Sequence, residues 1–401
     1  MNGSSGPPTR VGISGTGFVA RGIYAALARQ TDFAVTGVLT RRATELSADA
    51  FPEDILTRSA EQLAERADIV FECSGDTVHA AGVLMTAGEA GAKLVTLCAE
   101  AQVTIGTALL ARGFWITEAH GDQPGALAAL DREARAMDFE PLAYINFKGF
   151  HNPDPTPEDM AYWSKRQNST VRAVTSYTDG TKLQVEQALV ANGLGARLVR
   201  RGMIGGEVAD LADLDHFADA ARRLGAPISD YIVHPAVKGV LALAGNEIAD
   251  RNPDYSAFAK IRTREGRAYR LLKPYYLVFL EAARTLREAV DGYPPLLTNA
   301  RKPVATIAAI AKRPLPRGTR IETALGGFDL RGEAMEITDL PVAVPISLLD
   351  GARLTRDLAP GDVVTRADVE MPETLADRLY REAVAAAVST EPAPSESSAS
   401  K

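Results

Sequence analysis

A glycine-rich turn near the amino terminus constrains the fold of this chain more than any other feature. The segment RVGISGTGFVARGI, residues 10–23, reads as a short apolar strand, then Gly15, Gly17 and Ala20 in the pattern GxGxxA, then a helix. The first glycine allows a tight turn, the second lets backbone approach a pyrophosphate, and the alanine lets the helix pack close to the strand. The segment predicts a dinucleotide-binding turn; the alternative is a strand–helix turn that binds nothing.

Strands and helices alternate after this turn. Apolar runs at 33–40, 68–75 and 92–99 read as strands with helical patterns between them, and a strand at 114–120 closes the series. The runs IVFEC and LVTLC are apolar without alternation, as in strands that are covered on both faces. This order is typical of βαβ units and a parallel sheet. It predicts an α/β chain that begins with a Rossmann domain.

The length of 401 residues exceeds what one core usually organises, so two or three domains are expected. Within the central region, segments 140–150 and 170–178 have strand character, and a helix begins after the Asp179–Gly180 turn. Further on, Pro-Gly turns separate short β-rich segments. The predicted parts are a disordered segment 1–9, a Rossmann domain 10–138, a central α+β catalytic domain 139–300, a small β-rich domain 301–375 and a disordered tail 389–401.

Composition excludes several classes of function. The formal net charge is -7 and no block of Lys and Arg stands out, so a nucleic-acid partner is not expected. No apolar run is long enough to span a membrane, and the first residues lack the apolar core of a signal peptide. Cys73 and Cys98 have no metal-binding spacing and are expected to be reduced thiols. We expect a cytoplasmic homo-oligomer that binds a small molecule and holds no metal.

The end of the second strand indicates which dinucleotide is bound. An NAD site usually has Asp or Glu there, which bonds the ribose 2′-hydroxyl. This chain has Thr40, Arg41 and Arg42 instead. Two guanidinium groups and a hydroxyl suit a 2′-phosphate, because Arg meets phosphate with charge-assisted hydrogen bonds. The pattern predicts NADP(H) rather than NAD; the alternative is a pair of solvated arginines on a surface turn.

Other cofactor contacts are expected from loops that follow the parallel strands, since these loops line the crevice of such folds. One loop is CSGD at 73–76, another begins near Glu100, and a third is His120, Gly121 and Asp122. For any single residue of these loops, an ordinary role in loop structure explains its presence about as well as a contact with the cofactor does. The predicted cofactor-binding residues are Gly15, Thr16, Gly17, Phe18, Val19, Thr40, Arg41, Arg42, Cys73, Ser74, Gly75 and Glu100.

Candidate catalytic residues lie in the central region. Lys148 ends a strand otherwise rich in apolar residues, and Asn152 follows one short loop later. Lys182 and Glu186 are four residues apart and share one helix face, with Asn192 two turns further on roughly the same side. Such groups suit the reduction of a polyhydroxylated carbonyl, although a plain surface ion pair has the same spacing. The predicted catalytic residues are Lys148, Lys182, Glu186, Asn152, Glu100 and Lys273.

Several segments together resemble a known family. The Rossmann opening, VTLCAEAQVTIG, EAHGDQPGALAAL, KGFHNPDPTPED and YTDGTKLQVEQALVANGLG are similar to homoserine dehydrogenase-like oxidoreductases with a C-terminal SAF domain. The segment LLDGARLTRDLAPGDVVTRADVE looks like that SAF domain, and the resemblance covers residues 10 to about 375. It implies an NAD(P)-dependent oxidoreductase related to the 1-deoxy-D-xylulose 5-phosphate reductoisomerase-like enzymes, which use NADPH.

Two positions depart from the reductoisomerase-like pattern. Phe150 stands where that group is expected to carry a second lysine after Lys148, and Lys273 stands where an arginine is expected before Pro-Tyr. We therefore expect an NADP(H)-dependent oxidoreductase of a small polyhydroxylated substrate, a sugar phosphate or sugar acid. The reductoisomerase reaction and a catalytically inactive dinucleotide-binding protein stay open as alternatives.

Overall fold

A computed structural model describes residues 6–41 and 51–389 of the chain. Its N-terminal part is built from alternating strands and helices, as the apolar runs predict. These elements are β1 (Thr9–Ser14), α1 (Phe18–Leu27), β2 (Phe33–Leu39), β3 (Leu56–Thr57), α2 (Ala60–Arg66), β4 (Ile69–Glu72), α3 (Thr77–Glu89), β5 (Lys93–Thr96), α4 (Ala99–Ala111), β6 (Ile116–Glu118) and α5 (Gln123–Ala136).

The six strands of this part form one parallel sheet in the order β3-β2-β1-β4-β5-β6. One face is covered by α1, whose Ala20, Ile23 and Leu27 are buried against the strands. The other face is covered by α2, α3 and α4. A sheet with both faces covered has apolar strands, and this explains the continuous apolar runs of β4 and β5. The α/β class and the Rossmann-like N-terminal domain are confirmed.

The central part contains a second, mixed sheet. It is made of β7 (Glu140–Lys148), α6 (Pro157–Arg166), α7 (Val171–Thr178), α8 (Thr181–Leu194), α9 (Asp215–Leu224), β8 (Ile228–Val233), β9 (Val240–Gly245), α10 (Glu247–Asp250), α11 (Ser256–Ile261), β10 (Tyr269–Lys273) and α12 (Ala282–Val290).

The strand order of this sheet is β10-β9-β7-β8, with only β7 and β8 parallel among these pairs. Side chains alternate between its faces. Ala143, Ile145 and Phe147 of β7 pack towards α9, whereas Tyr144 packs with α5 and α8. Asn146 and Lys148 share the side of Tyr144 by this alternation, so β7 directs them towards α8. Helix α12 packs back on the N-terminal sheet.

The expectation of a strand at 170–178 is wrong, because Val171–Thr178 is helix α7. Thr170 caps this helix: its side-chain oxygen accepts a hydrogen bond from the Ala173 amide at 3.2 Å. The β-branched residues of the segment favour strands by propensity. The helix nevertheless buries Val174 and Thr175 beside α8, and packing of this kind overrides propensity.

The C-terminal part consists of small antiparallel sheets and a last helix, in agreement with the predicted β-rich module. Its elements are β11 (Ala305–Ala311), β12 (Leu330–Glu336), β13 (Arg353–Leu354), β14 (Val369–Glu370) and α13 (Leu375–Val388). Strand β12 lies along α8: the Gly332 amide donates to Thr181 Oγ1 at 2.8 Å and the Ala334 amide to Gln184 Oε1 at 2.9 Å. The module therefore holds the helix that carries Lys182 and Glu186.

Candidate functional site

The glycine turn lies at the carboxyl end of β1, in the centre of the N-terminal sheet. Gly15 has a φ of +115°, and a Cβ there would lie 3.2 Å from the backbone of Ser74, so both conformation and space require glycine. Gly17 precedes α1 with extended backbone, and a Cβ there would meet nothing within 4 Å. The first turn of α1 has no acidic residue and no side-chain cap. The glycine turn that precedes α1 lines a cleft of about 110 Å³, and the first amides of a helix have no partner within the helix.

The other predicted cofactor-binding residues of the turn are Thr16, Phe18 and Val19, and the last two have apolar side chains. Phe18 is 69% exposed, and its ring meets that of Phe279 edge-on with centroids 5.6 Å apart. Val19 is partly buried against the core under α1. The Thr16 carbonyl accepts a hydrogen bond from Arg21 Nε at 3.3 Å. Binding of a dinucleotide by these residues stays a prediction.

The cleft is closed on one side by the end of β2 and on the other by the loop after β4. Thr40, Arg41, Cys73 and Ser74 all line it, together with the glycine turn. Arg41 Nη1 lies 2.7 Å from Asp76 Oδ2, so a salt bridge joins the two sides. Arg42 lies outside the described residues.

The loop after β4 is fixed by its own polar groups. The Ser74 amide donates to the buried Glu72 carboxylate at 2.7 Å, and Gly75 has a φ of +70°. The Cys73 thiol donates to the Ser14 carbonyl at a distance of 3.3 Å, and burial raises the pKa of that thiol well above its usual value. Burial likewise raises the pKa of the Cys98 thiol. Neither thiol is poised as a nucleophile.

A second group of polar residues lies where the N-terminal sheet meets α8. Lys182 Nζ, in the first turn of α8, lies 3.2 Å from Oε2 of Glu100, in the first turn of α4. The side chains are only 14% and 9% exposed. Helix α4 begins at the carboxyl end of β5, so this ion pair lies at the same sheet edge as the glycine turn. From the spacing alone, Lys182 and Glu186 could have formed an ordinary surface ion pair. The structure instead buries Lys182 together with the carboxylate of Glu100, which comes from a distant segment.

Lys148 and Glu186 face each other across β7 and α8. Asn146 Nδ2 donates to Glu186 Oε2 at 2.8 Å, and both residues are buried. Lys148, two residues further along the strand, points to the same side, and its Nζ lies 5.8 Å from the centroid of the Tyr177 ring. Asn146 Oδ1 is buried and has no hydrogen-bond partner among the described residues, so an acceptor is left available here. We call Glu100, Asp122, Lys148, Lys182 and Glu186 the lysine–carboxylate cluster.

The two lysines of the cluster have opposite electrostatic environments. Burial lowers the pKa of Lys148; Glu186 opposes this effect and Lys182 adds to it. Burial alone would lower the pKa of Lys182 too, but Glu100, Asp122 and Glu186 raise it well above its usual value. Lys182 is therefore a fixed cation, whereas Lys148 releases its proton more readily than a free lysine.

Two carboxyl groups of the cluster hold protons more tightly than usual. Burial, and then the charge of Asp122, raise the pKa of Glu186 to about 7, against the opposing effects of Lys148 and Lys182. Burial also raises the pKa of Asp122. A carboxyl group that titrates near neutrality, next to a lysine of lowered pKa, is suited to proton transfer.

Three residues expected at the site have other contacts. Asn152 Oδ1 accepts from the Asp154 amide at 3.1 Å, within its own loop. Lys273 Nζ binds Glu281 at 2.9 Å, and both line a separate groove of about 760 Å³ between α5 and β10. Asn192, which the spacing places on roughly the same side as Lys182 and Glu186, has a structural contact instead. Its Oδ1 accepts from the amides of Val304 and Ala305 at 2.8 Å, which ties α8 to β11.

Three further residues lie near the cluster, and the sequence indicated only the first of them. Asp122 precedes α5 and influences the pKa of both lysines. Tyr177 belongs to α7, which the sequence misassigned as a strand. Tyr276 follows β10, and burial, then the charges of Glu186 and Asp122, raise its pKa to about 12. Only for Asp122 was there a signal, its position after a parallel strand.

A second cleft of about 240 Å³ adjoins the cluster. It is lined by Gly75, Asp76 and Glu100 from the N-terminal part, and by Arg172 and Asp350 among others from the later parts. Arg172 Nη1 lies 3.0 Å from Asp350 Oδ2. Within residues 6–41 and 51–389, no group of three or more His, Cys, Asp or Glu side chains is arranged to hold a metal ion. Over the same residues, the structure contains no helix with the length and apolarity that crossing a membrane requires.

This geometry defines an α/β protein of Rossmann-like topology with a polar cluster at the carboxyl edge of its parallel sheet. In a comparison with protein families, residues 121–282 match the catalytic domain of the oxidoreductase DRL. The matched segment contains Asp122, Lys148, Lys182 and Glu186. A comparison with curated proteins gave no match.

Solved structures with a similar fold are distant in sequence. UDP-N-acetylglucosamine 3-dehydrogenase GnnA from Acidithiobacillus ferrooxidans is 16% identical over 72% of this chain and 91% of its own, with a TM-score of 0.40. Biliverdin reductase from Synechocystis sp. PCC 6803, solved with biliverdin and NADP+, is 13% identical over 72% of this chain and 92% of its own, with a TM-score of 0.39. At these identities the likeness concerns the fold alone.

Proposed function

We propose that this protein is an NADP(H)-dependent oxidoreductase of a small polyhydroxylated carbonyl or alcohol, such as a sugar phosphate or a sugar acid. The lysine–carboxylate cluster, buried at the sheet edge that also carries the glycine turn, is the observation on which this proposal rests. Reduction of a carbonyl needs a hydride donor, a proton donor and positive charge near the developing alkoxide. The match of residues 121–282 to an oxidoreductase catalytic domain supports the same reaction class.

The residues present fit a dinucleotide. The amides at the start of α1 have no side-chain cap, and the missing Cβ of Gly17 leaves room above them for a pyrophosphate. Thr40 and Arg41 lie at the end of β2, on the side where the adenosine ribose is held in this fold, and the sequence at that strand end, Thr40-Arg41-Arg42, contains no Asp or Glu. A guanidinium at that place favours a 2′-phosphate, which is why NADP(H) is proposed over NAD.

The lysines have separate roles in the proposed reaction. The bound dinucleotide supplies or accepts the hydride at its nicotinamide ring. Lys182, held protonated by Glu100 and its neighbours, stabilises negative charge on the reacting oxygen. Lys148, whose pKa is lowered, gives a proton to that oxygen in reduction and takes it back in oxidation. Glu186 faces Lys148 and exchanges the proton with it, since its pKa of about 7 permits both states near neutrality.

The polarity of the cluster supports a hydroxylated substrate. Glu100 forms the ion pair with Lys182 and also lines the second cleft. Asn146 Oδ1, which has no partner within residues 6–41 and 51–389, can accept a hydrogen bond from a hydroxyl. Charged and amide groups at this density would be costly to desolvate against an apolar ligand. A substrate with several hydroxyl groups replaces the lost water with hydrogen bonds.

The reductoisomerase reaction remains a second candidate through the sequence resemblance, although Phe150 presents an exposed aromatic side chain where a second lysine is expected. NADPH oxidation with a panel of sugar phosphates and sugar acids, 1-deoxy-D-xylulose 5-phosphate first, tests the proposal. Turnover on any member supports an oxidoreductase, and its product identifies the reaction. Firm NADPH binding without oxidation by any member would contradict the proposal.

A further inference from the structure

The salt bridge between Arg41 and Asp76 crosses the cleft above the glycine turn. In the sheet order, β1 lies between β2 and β4. Arg41 comes two residues after β2 and Asp76 four residues after β4, so the pair spans two strand spacings, about 10 Å, over the end of β1. The contact itself is 2.7 Å.

Asp76 is held in this position from its own side of the cleft. Its Oδ1 accepts a hydrogen bond from the His79 amide at 3.1 Å, which makes Asp76 the N-cap of α3, while Oδ2 meets Arg41. Burial would raise the pKa of Asp76, but these hydrogen bonds and the Arg41 charge keep it below its usual value. The carboxylate is therefore charged near neutral pH, and the helix start restricts where it can move.

A dinucleotide with its pyrophosphate on the Gly15–Gly17 turn has its adenosine ribose at the end of β2. A 2′-phosphate at that ribose would meet Arg41, the guanidinium that Asp76 holds. We propose that Asp76 is a specificity-determining residue: it competes with the 2′-phosphate for Arg41 and so limits the preference for NADP(H) over NAD(H). This inference rests on the proposed dinucleotide site and refines it.

The variant Asp76→Asn removes the charge and keeps the cap, because Asn is as good an N-cap as Asp. We expect it to tighten NADPH binding by about three- to ten-fold, the order of effect for removing one negative charge at this distance in a solvated cleft. NADH affinity should change less than about two-fold, since a 2′-hydroxyl carries no charge. The measurement is equilibrium titration of both dinucleotides at low ionic strength.

Two control variants make the result specific. Asp68→Asn removes a carboxylate of the same sheet that is paired with Arg10, away from the cleft, and should leave both affinities unchanged. In the background Arg41→Met, the substitution Asp76→Asn should no longer tighten NADPH binding.

An unchanged ratio of affinities in Asp76→Asn would overturn the inference, as would a gain that persists without Arg41. Binding of neither dinucleotide by the wild-type protein would instead refute the proposed function, and the inference with it.

Discussion

Lys182 Nζ lies 3.2 Å from Glu100 Oε2, and this ion pair joins helices that are 82 positions apart in the chain. Each residue stands in the first turn of its helix, one from the N-terminal part and one from the central part. Because both side chains are largely removed from water, the lysine keeps its charge only through its carboxylate partners. The pair thus fixes a protonated lysine at the junction of the two parts.

The glycine turn gives the first prediction. Gly17→Val should abolish binding of NADPH while the fold is retained, since Gly17 has an extended backbone that valine adopts and its Cβ would point into open space. The added methyl groups would occupy the position of the pyrophosphate. Titration with NADPH, alongside thermal unfolding, checks both statements. Undiminished binding would show that the segment is only a structural turn.

The cluster gives the second prediction. Lys148→Met and Lys182→Met should each lower kcat by about 10²- to 10³-fold, the range for loss of a general acid or of charge stabilisation in a transition state. NADPH affinity should stay within about two-fold of wild type, because neither side chain lines the dinucleotide cleft. Lys93→Met is the matched control: this partly buried lysine lies at the opposite end of the sheet, where it donates to the Ala289 carbonyl. An unchanged kcat in either cluster variant would remove that residue from the reaction.

The third prediction concerns pH. Reduction requires protonated Lys148, so its rate should fall as pH rises through the pKa of that lysine, which lies below the usual value. Lys182 lowers this pKa and Glu186 raises it. Lys182→Met should therefore move the alkaline limb of the kcat profile to higher pH, and Glu186→Gln should move it to lower pH.

These opposite shifts are the decisive feature of the pH profiles. Both variants change the charge beside Lys148, and Glu186→Gln retains an oxygen that can accept from Asn146. Shifts of the same sign, or an alkaline limb that survives Lys148→Met, would show that another group donates the proton.

The attachment of the C-terminal module gives the fourth prediction. Lys312 Nζ lies 2.7 Å from Asp179 Oδ2 just before α8, and the side chains are 1% and 0% exposed. Lys312→Met leaves a buried carboxylate without its partner and should lower the free energy of unfolding by about 3–5 kcal/mol. Arg313→Met, which breaks an exposed pair with Asp329, should cost less than about 1 kcal/mol.

Denaturant unfolding of the two variants measures this difference, and the double substitution Asp179→Asn with Lys312→Met should recover part of the loss. Equal losses for Lys312→Met and Arg313→Met would contradict the prediction.

Features encoded locally were predictable. The turn at Gly15 and Gly17 follows from a short motif between a strand and a helix, and the parallel sheet follows from uninterrupted apolar runs. The shared helix face of Lys182 and Glu186 follows from their spacing alone. Each of these depends on neighbouring residues, which the sequence displays directly.

Features that depend on distant segments were not predictable. Val171–Thr178 has strand propensity, and its packing beside α8 favours the helix over a strand. Asn192 has the spacing of a site residue, yet the arrival of β11 makes it a structural anchor. The distant partners that perturb Lys148 and Lys182 include Glu100 of α4, Asp122 just before α5 and Tyr177 of α7. No pattern along the chain predicts such long-range contacts.

Transfer of deuterium from C4-deuterated NADPH to a carbonyl substrate tests the proposed function most directly. Products from the panel of sugar phosphates and sugar acids would be examined by mass spectrometry, with Lys182→Met as the control. We predict that at least one product gains a single deuterium and that the variant forms it far more slowly. NADPH that is firmly bound but yields no deuterated product with any member of the panel would contradict hydride transfer and indicate a dinucleotide-binding protein without turnover.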